Sequence, residues 1–106
     1  MARYILIDIN SGYIWGDSVD LEGKIFTGSP LEYAAALDAS LGEHDRSYEM
    51  LSSNPRDNST GYFVYRADVN GSEAVTTVQD GQDTDTIAAV ERDCQFIGFI
   101  RCSQGA

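Results

Sequence analysis

Residues 3–9 are β-branched and aromatic with almost no polar alternation. This pattern is typical of a strand that is covered on both faces, and we predict a central strand here. A turn signal at residues 10–12 precedes a second apolar segment over residues 13–18. The chain is therefore predicted to return as the second strand of an N-terminal hairpin.

A helix is predicted to begin after Ser29. Serine is a favoured N-cap, Pro30 suits the first helical position, and Glu32 places a carboxylate near the positive end of the helix dipole. Gly42 is placed to end this helix. The predicted inward face repeats at helical spacing and comprises Pro30, Tyr33, Ala34, Leu37 and Leu41.

The middle of the chain mixes one ambiguous segment with a strong hairpin pattern. Residues 45–51 fit either a short helix or a strand, and residues 54–60 form a polar loop of the kind that often carries recognition residues. Two β-branched and aromatic segments, residues 62–69 and 72–78, flank Asn-Gly at residues 70–71. Asn-Gly tolerates positive φ, so these segments predict a second hairpin.

The C-terminal third predicts a helix beginning near Asp85, with Ile87 and Val90 facing inward, and a final apolar strand over residues 95–101. The resulting order, ββα(α/β)ββαβ, favours an α+β fold: a mainly antiparallel sheet of about four to five strands with two helices packed on one face. No linker or repeat divides the sequence, so residues 1–106 are expected to form a single domain.

The net charge of the protein limits the classes of partner that it is expected to bind. The 106 residues contain 17 acidic and 7 basic side chains, a formal net charge of -10. Nucleic acid and anionic membrane surfaces carry the same sign and would repel this protein, so direct binding to either is disfavoured. Spread evenly, this charge would be about five-fold more dilute than that of duplex DNA, so only a cluster of acids could imitate DNA.

The sequence lacks the residues that several classes of catalytic and cofactor site require. His44 is the single histidine, and no multi-histidine or paired-cysteine zinc motif, phosphate-binding glycine loop or dinucleotide fingerprint occurs. Residues 80–91 fail the calcium-loop pattern at its third, fifth and sixth positions. No cofactor, metal site or catalytic residue is predicted. Cys94 and Cys102 are interpreted as reduced core residues, and with neither a signal peptide nor a membrane span at the N-terminus we expect a cytoplasmic protein.

The remaining candidates for a functional site are residues that could bind a partner. Trp15, beside a glycine at the predicted end of a hairpin, is the best candidate for an exposed anchor, although core packing is the commoner fate of an aromatic residue. Asp17 belongs to a small acidic group nearby. The larger acidic group, opposed locally by Arg92 alone, comprises Asp80, Asp83, Asp85, Glu91 and Asp93. Turn formation and helix capping are an alternative role for its first members.

Two segments carry a resemblance: SGYIWGD over residues 11–17 and AVERDC over residues 89–94. There the chain resembles small uncharacterised acidic proteins of bacterial plasmids, integrative elements and phages. Such elements often carry acidic anti-CRISPR and antirestriction proteins, which occupy basic nucleic-acid channels. The resemblance implies an inhibitor of a basic nucleic-acid-binding host protein and implies no catalytic residue.

The leading hypothesis is a non-enzymatic binding protein whose acidic face docks on a basic protein surface. One alternative is a small enzyme with a carboxylate-lined pocket, which would place two acids together in a concavity. The other is a structural module that self-associates through a sheet edge such as residues 62–69.

Overall fold

The computed structural model describes residues 2–18, 26–43, 46–54, 60–68 and 84–104. These residues form one five-stranded sheet with the strand order β2-β1-β4-β5-β3, in which every neighbouring pair is antiparallel. The α+β class with a mainly antiparallel sheet and two helices is therefore confirmed. The elements are β1 (Ala2–Asp8), β2 (Ile14–Asp17), α1 (Pro30–Ser40), β3 (Arg46–Leu51), β4 (Thr60–Asp68), α2 (Thr84–Asp93) and β5 (Gln95–Gln104).

The N-terminal hairpin is confirmed, and β1 is an interior strand between β2 and β4. Gly12 in its turn has φ +76, a conformation that glycine adopts without strain. The strand register shifts along this hairpin: Leu6 pairs with Gly16, whereas Ile7 pairs with Ile14. Trp15 is thus the extra residue of a β-bulge, a feature that bends a strand and re-aims a side chain.

The ambiguous segment is a strand. β3 pairs along its length with β5, from Arg46 opposite Gln104 to Leu51 opposite Phe99. Its inward-facing Tyr48 packs against the core while Ser47 and Glu49 are exposed. That alternation has the period of a strand and not of a helix.

The strand predicted at residues 62–69 is largely confirmed as β4, but its predicted position at a sheet edge is wrong. β4 pairs with β1 on one side and with β5 on the other, so its backbone is hydrogen-bonded on both sides. In the described part of the sheet, β2 and β3 are the outer strands. The second strand of the Asn-Gly hairpin, residues 72–78, lies outside the described residues.

The helices pack against different faces of the sheet, so the expectation of a single helix-covered face is not confirmed. Ile5 and Ile7 of β1 pack with Val90 of α2, whereas Leu6 packs with Tyr33 and other residues of α1. Because alternate residues of a strand point to opposite faces, β1 separates two cores. We call these the α1 face and the α2 face.

The helix α1 begins as the sequence predicts. Ser29 and Glu32 form a reciprocal capping box, and Pro30 occupies the first turn. Tyr33 and Ala34 are buried as expected, whereas Leu41 is 60% exposed and its predicted inward position is wrong. The helix ends at Ser40, so Leu41 no longer follows the helical face; Asp38 is the buried residue near this end.

The remaining core predictions concern α2 and the cysteines. Val90 is fully buried and Ile87 packs against the same cluster, so the predicted inward face of α2 is confirmed. Cys94 and Cys102 are both buried and free of disulfide bonds, as expected. Cys94 lies at the junction between α2 and β5, and Cys102 lies within β5.

Candidate functional site

A concave site of about 330 Å³ opens at one end of the α1 face, and we call it the Trp15 pocket. It forms where the end of β1, the bulged strand β2 and the start of β4 meet, because Asp8 is paired with Tyr62 in the sheet. The C-terminal end of α1 and the start of β3 complete it. The lining residues are Asp8, Trp15, Asp38, Leu41, Glu43, Arg46, Thr60 and Tyr62.

Asp38 is the buried acid of this pocket and is only 1% exposed. The Tyr62 hydroxyl donates a 2.7 Å hydrogen bond to its Oδ1, and the Tyr48 hydroxyl donates one of 2.7 Å to its Oδ2. Arg46 Nη1 approaches Oδ2 at 3.5 Å. These contacts fasten the end of α1 to β3 and β4, and they satisfy both oxygens of a carboxylate that burial would otherwise penalise.

The tyrosine hydroxyls are held as hydrogen-bond donors. Burial raises the pKa of both Tyr48 and Tyr62, and donation to the Asp38 carboxylate raises each further. Burial, followed by the negative charge of Asp38, also raises the pKa of the Cys102 thiol to about 11. The thiol next to this site is therefore kept protonated and unreactive near neutral pH.

Trp15 is the exposed aromatic wall of the pocket, with 44% of its surface accessible. Its ring stacks on Tyr62, with 6.4 Å between ring centroids and 28° between ring planes. Tyr62 is almost fully buried and fixed by its bond to Asp38, so Trp15 rests on a rigid support. The prediction that Trp15 is exposed is confirmed.

Gly16 leaves room for α1 to pack next to Trp15. A Cβ at this position would lie 2.6 Å from Leu37 Cδ2, too close for any side chain to be accommodated without movement. Glycine after Trp15 therefore allows α1 to approach the bulged strand closely.

Charge in the Trp15 pocket is unevenly compensated. The lining holds three carboxylates and one guanidinium, a formal net charge of -2. Arg46 is 3.5 Å from both Asp38 Oδ2 and Glu43 Oε2. Asp8 Oδ2 accepts a 2.9 Å hydrogen bond from the Ser11 backbone N–H, and within the described residues Asp8 has no cationic partner. Asp8 is thus the acid most available to an incoming cation.

The other predicted site residues lie elsewhere. Asp17 is not a surface acid: its side chain is 4% exposed and forms a two-pronged ion pair with Arg3 on the α2 face. This pairing gives Asp17 a role in folding, because a buried carboxylate needs such a partner. It leaves little of the Asp17 side chain exposed for the partner-binding role predicted for it.

The larger acidic group is only partly described. Asp85, Glu91 and Asp93 belong to α2 and lie at the surface, whereas Asp80 and Asp83 lie outside the described residues. Arg92 donates a 2.9 Å hydrogen bond to Asp93 and thereby lowers the pKa of that carboxyl. The structure does not bring Trp15 and the α2 acids together, because they belong to different faces.

Most of the pocket residues were missed by sequence reasoning. Asp38 follows Ala34 by four positions, so helical spacing places it on the inward face of α1. No pattern in the sequence identifies the tyrosines that receive it. Asp8 and Arg46 are likewise ordinary strand-end residues until the strand order brings them to the same end of the sheet.

Comparison with protein-family models, with curated proteins and with solved structures finds no match to this chain. Neither described helix is both long enough and apolar enough to cross a lipid bilayer. Across the described ranges, no group of three or more His, Cys, Asp or Glu side chains is arranged to hold a metal ion.

Proposed function

We propose that this protein is a non-enzymatic binding protein that docks on a basic surface of another protein through the Trp15 pocket. The observation that carries the proposal is the position of Trp15, an exposed aromatic ring on a rigid support beside a carboxylate without a cationic partner among the described residues. Exposed aromatic anchors surrounded by complementary charge are typical of protein-binding surfaces.

The overall charge supports the same function. A protein with a formal net charge of -10 attracts a basic partner over several ångströms before contact, which speeds association at low salt. The pocket then supplies contact at short range. In this division, long-range charge sets the rate of encounter, and the aromatic wall sets how long the complex lasts.

The proposed partner is a nucleic-acid-binding protein of the host in which a mobile element resides, and the protein would act as its inhibitor. Nucleic-acid channels are rich in Arg and Lys, so an acidic face with an aromatic anchor complements them. The predicted binding acids Asp80, Asp83, Asp85, Glu91 and Asp93 would add to the long-range negative field that attracts such a partner, although those of α2 do not lie on the pocket face. The resemblance to small acidic proteins of mobile elements supports this class of partner.

Binding is favoured over acid–base catalysis by the contacts of Asp38. Both of its oxygens are occupied by tyrosine hydroxyls, and Arg46 also approaches one of them. A general acid or base must reach the substrate proton directly or through one water. Asp8 and Glu43 are the other pocket acids, and Glu43 lies 3.5 Å from Arg46. The buried Asp38 is therefore unsuited to the acid–base role that the enzyme alternative requires.

The proposal is tested by titrating the protein with a synthetic peptide rich in both Arg and Lys at low and high salt. We expect affinity to fall roughly ten-fold or more as added salt screens the charges. Trp15→Ala and Asp8→Asn should each weaken binding at low salt. Reversal of Asp80, Asp83 and Asp85 to Lys should slow association and weaken binding at low salt, because it changes the formal net charge from -10 to -4.

Glu49→Gln provides the control, since Glu49 is an exposed acid on β3 that does not line the pocket. It should lower affinity only slightly. Binding that does not change with salt would overturn the proposal, and so would the absence of binding at low salt.

A further inference from the structure

We infer that the Trp15 pocket is a receptor for a single arginine side chain of the partner, with the guanidinium stacked on Trp15 and paired with Asp8. This inference rests on the proposed function and specifies the chemistry of its site. It predicts that the protein distinguishes arginine from lysine, which general attraction between opposite charges does not.

The aromatic wall favours a planar cation. A guanidinium lies flat on an indole ring and gains both cation–π attraction and stacking, whereas an ammonium gains the first of these only. Tryptophan has the strongest cation–π attraction among the aromatic side chains. Because Tyr62 supports Trp15 from behind, the ring loses little freedom when a ligand arrives.

The charged end of the pocket favours the same ligand. A guanidinium can donate two parallel hydrogen bonds to one carboxylate, a geometry that an ammonium cannot match. Asp8 holds its Oδ2 against the Ser11 backbone N–H, and this bond fixes the orientation of the carboxylate. Asp8 therefore offers a pre-oriented acceptor, and its Oδ2 can accept further hydrogen bonds.

Arg46 directs an incoming cation towards Asp8. It lies at the other acids of the pocket, 3.5 Å from both Asp38 and Glu43, and would repel a second cation there. Leu41, which is largely exposed at the same site, offers an apolar surface for the methylene groups of the ligand. A volume of about 330 Å³ is at the small end of protein ligand sites, which suits one side chain rather than an extended ligand.

The test uses two peptides of equal length and charge, one with a central arginine and one with a central lysine. Trp15 is the only tryptophan of the chain, so its fluorescence and its indole N–H resonance report on the pocket directly. The arginine peptide should bind about five-fold more tightly or better. Methylguanidinium chloride should shift the indole resonance, and methylammonium chloride at the same ionic strength should shift it much less.

Variants separate the pocket from general charge. Trp15→Ala should remove the preference for arginine, and Trp15→Phe should retain part of it. Asp8→Asn keeps an oxygen for the Ser11 N–H and should weaken binding of the arginine peptide more than that of the lysine peptide. Phe96→Ala is the matched control, because Phe96 is also 44% exposed but belongs to the α2 face; it should leave the preference unchanged.

The outcomes distinguish this inference from the function on which it rests. Equal, salt-dependent binding of both peptides overturns the arginine receptor and leaves the proposed function standing. A preference that persists in Trp15→Ala also overturns it. If neither peptide binds at low salt, both fail. Should Trp15→Ala not fold, the methylguanidinium titration of the unaltered protein decides the matter, since an unmoved indole resonance contradicts the inference.

Discussion

The two faces of the sheet each bury a carboxylate, but they do so with different partners. On the α2 face, Asp17 is paired with the guanidinium of Arg3. On the α1 face, Asp38 is held by the hydroxyls of Tyr48 and Tyr62 at 2.7 Å, with Arg46 further away at 3.5 Å. A guanidinium cancels the charge of its partner, whereas a hydroxyl satisfies hydrogen bonding and leaves the charge in place.

This difference bears on the charge of the Trp15 pocket. A negative charge retained beneath the surface adds to the field of Asp8 and Glu43 at the pocket. The α2 face, where the ion pair is neutralised, also carries an aromatic cluster in which Phe96 is 5.1 Å from Phe99 and 5.4 Å from Tyr65, measured between ring centroids. One face is thus suited to cations and the other to apolar packing.

Removal of each buried acid should have the largest effect on stability. Asp38→Ala should lower the free energy of unfolding by about 3 to 5 kcal/mol, because it removes the acceptor of a buried hydroxyl on Tyr62, of a part-buried one on Tyr48, and an ion-pair partner of Arg46. Asp17→Ala should cost about as much, because it leaves Arg3 buried without this ion-pair partner. Urea denaturation measures both.

Conservative variants serve as controls for those losses. Asp38→Asn should cost clearly less than Asp38→Ala, because an amide keeps one acceptor for a tyrosine hydroxyl. A loss below about 1 kcal/mol for Asp38→Ala would contradict the role given to that network.

A second prediction concerns the two cores. Ile5 and Leu6 are adjacent, both fully buried, and point to opposite faces of β1. Ile5→Ala and Leu6→Ala should each lower stability by about 2 to 5 kcal/mol. Because the two side chains belong to separate clusters, the losses in the double variant should nearly add. A negligible loss for either one would show that its face is not a true core.

Alkaline pH should weaken the protein, chiefly through the tyrosines of the α1 face. Burial, followed by the charge of Asp17, raises the pKa of Tyr33 to about 12, and the pKa values of Tyr48 and Tyr62 are raised as well. A group with a raised folded pKa contributes stability below its unfolded value, about 10 for tyrosine, and loses it as pH rises through the folded value.

Stability should therefore fall between about pH 10 and 12, with about 2 to 3 kcal/mol of the loss arising from Tyr33. Denaturation midpoints measured across this range, together with the tyrosinate absorbance, test the prediction. Tyr62→Phe removes one titrating hydroxyl and should make the decline shallower. Ionisation of every tyrosine near pH 10 in the folded protein would be the contrary result.

The smallest effect is expected at the surface of α2. Glu91 is exposed, and Glu91→Gln should change stability by no more than about 0.5 kcal/mol. The same variant should reduce affinity for a basic peptide less than Asp8→Asn does. If Glu91→Gln instead weakened binding more strongly, the α2 surface would replace the Trp15 pocket as the principal contact.

Local chemistry predicted the elements well, since the capping box at Ser29 and the turn at Gly12 are encoded by neighbouring residues. The position of β4 could not be predicted in this way. A hairpin pattern states which strand follows next, but it does not state that β1 and β5 will pair with β4 on its two sides. The edge position suggested for residues 62–69 was wrong, because those long-range pairings cover β4 on both sides.

The residues of the candidate site also differ in how far the sequence could predict their roles. Trp15 could be identified because an aromatic residue beside a glycine at a hairpin end lacks neighbouring side chains on one side. Asp17, two residues later, looked equivalent, but its pairing with Arg3 depends on the register between β1 and β2. Asp38 meets Tyr62 across 24 positions of sequence, a contact that only the tertiary fold creates.

The bulge at Trp15 separates the identity of a side chain from the pairing of its strand, two properties that are coupled elsewhere in a sheet. Since Leu6 pairs with Gly16 and Ile7 with Ile14, position 15 has no cross-strand partner in β1. Its side chain can be exchanged while the ladder on either side is preserved. A library randomised at this position would therefore sample new ligand preferences on an unchanged scaffold, which is the property that directed evolution of binders requires.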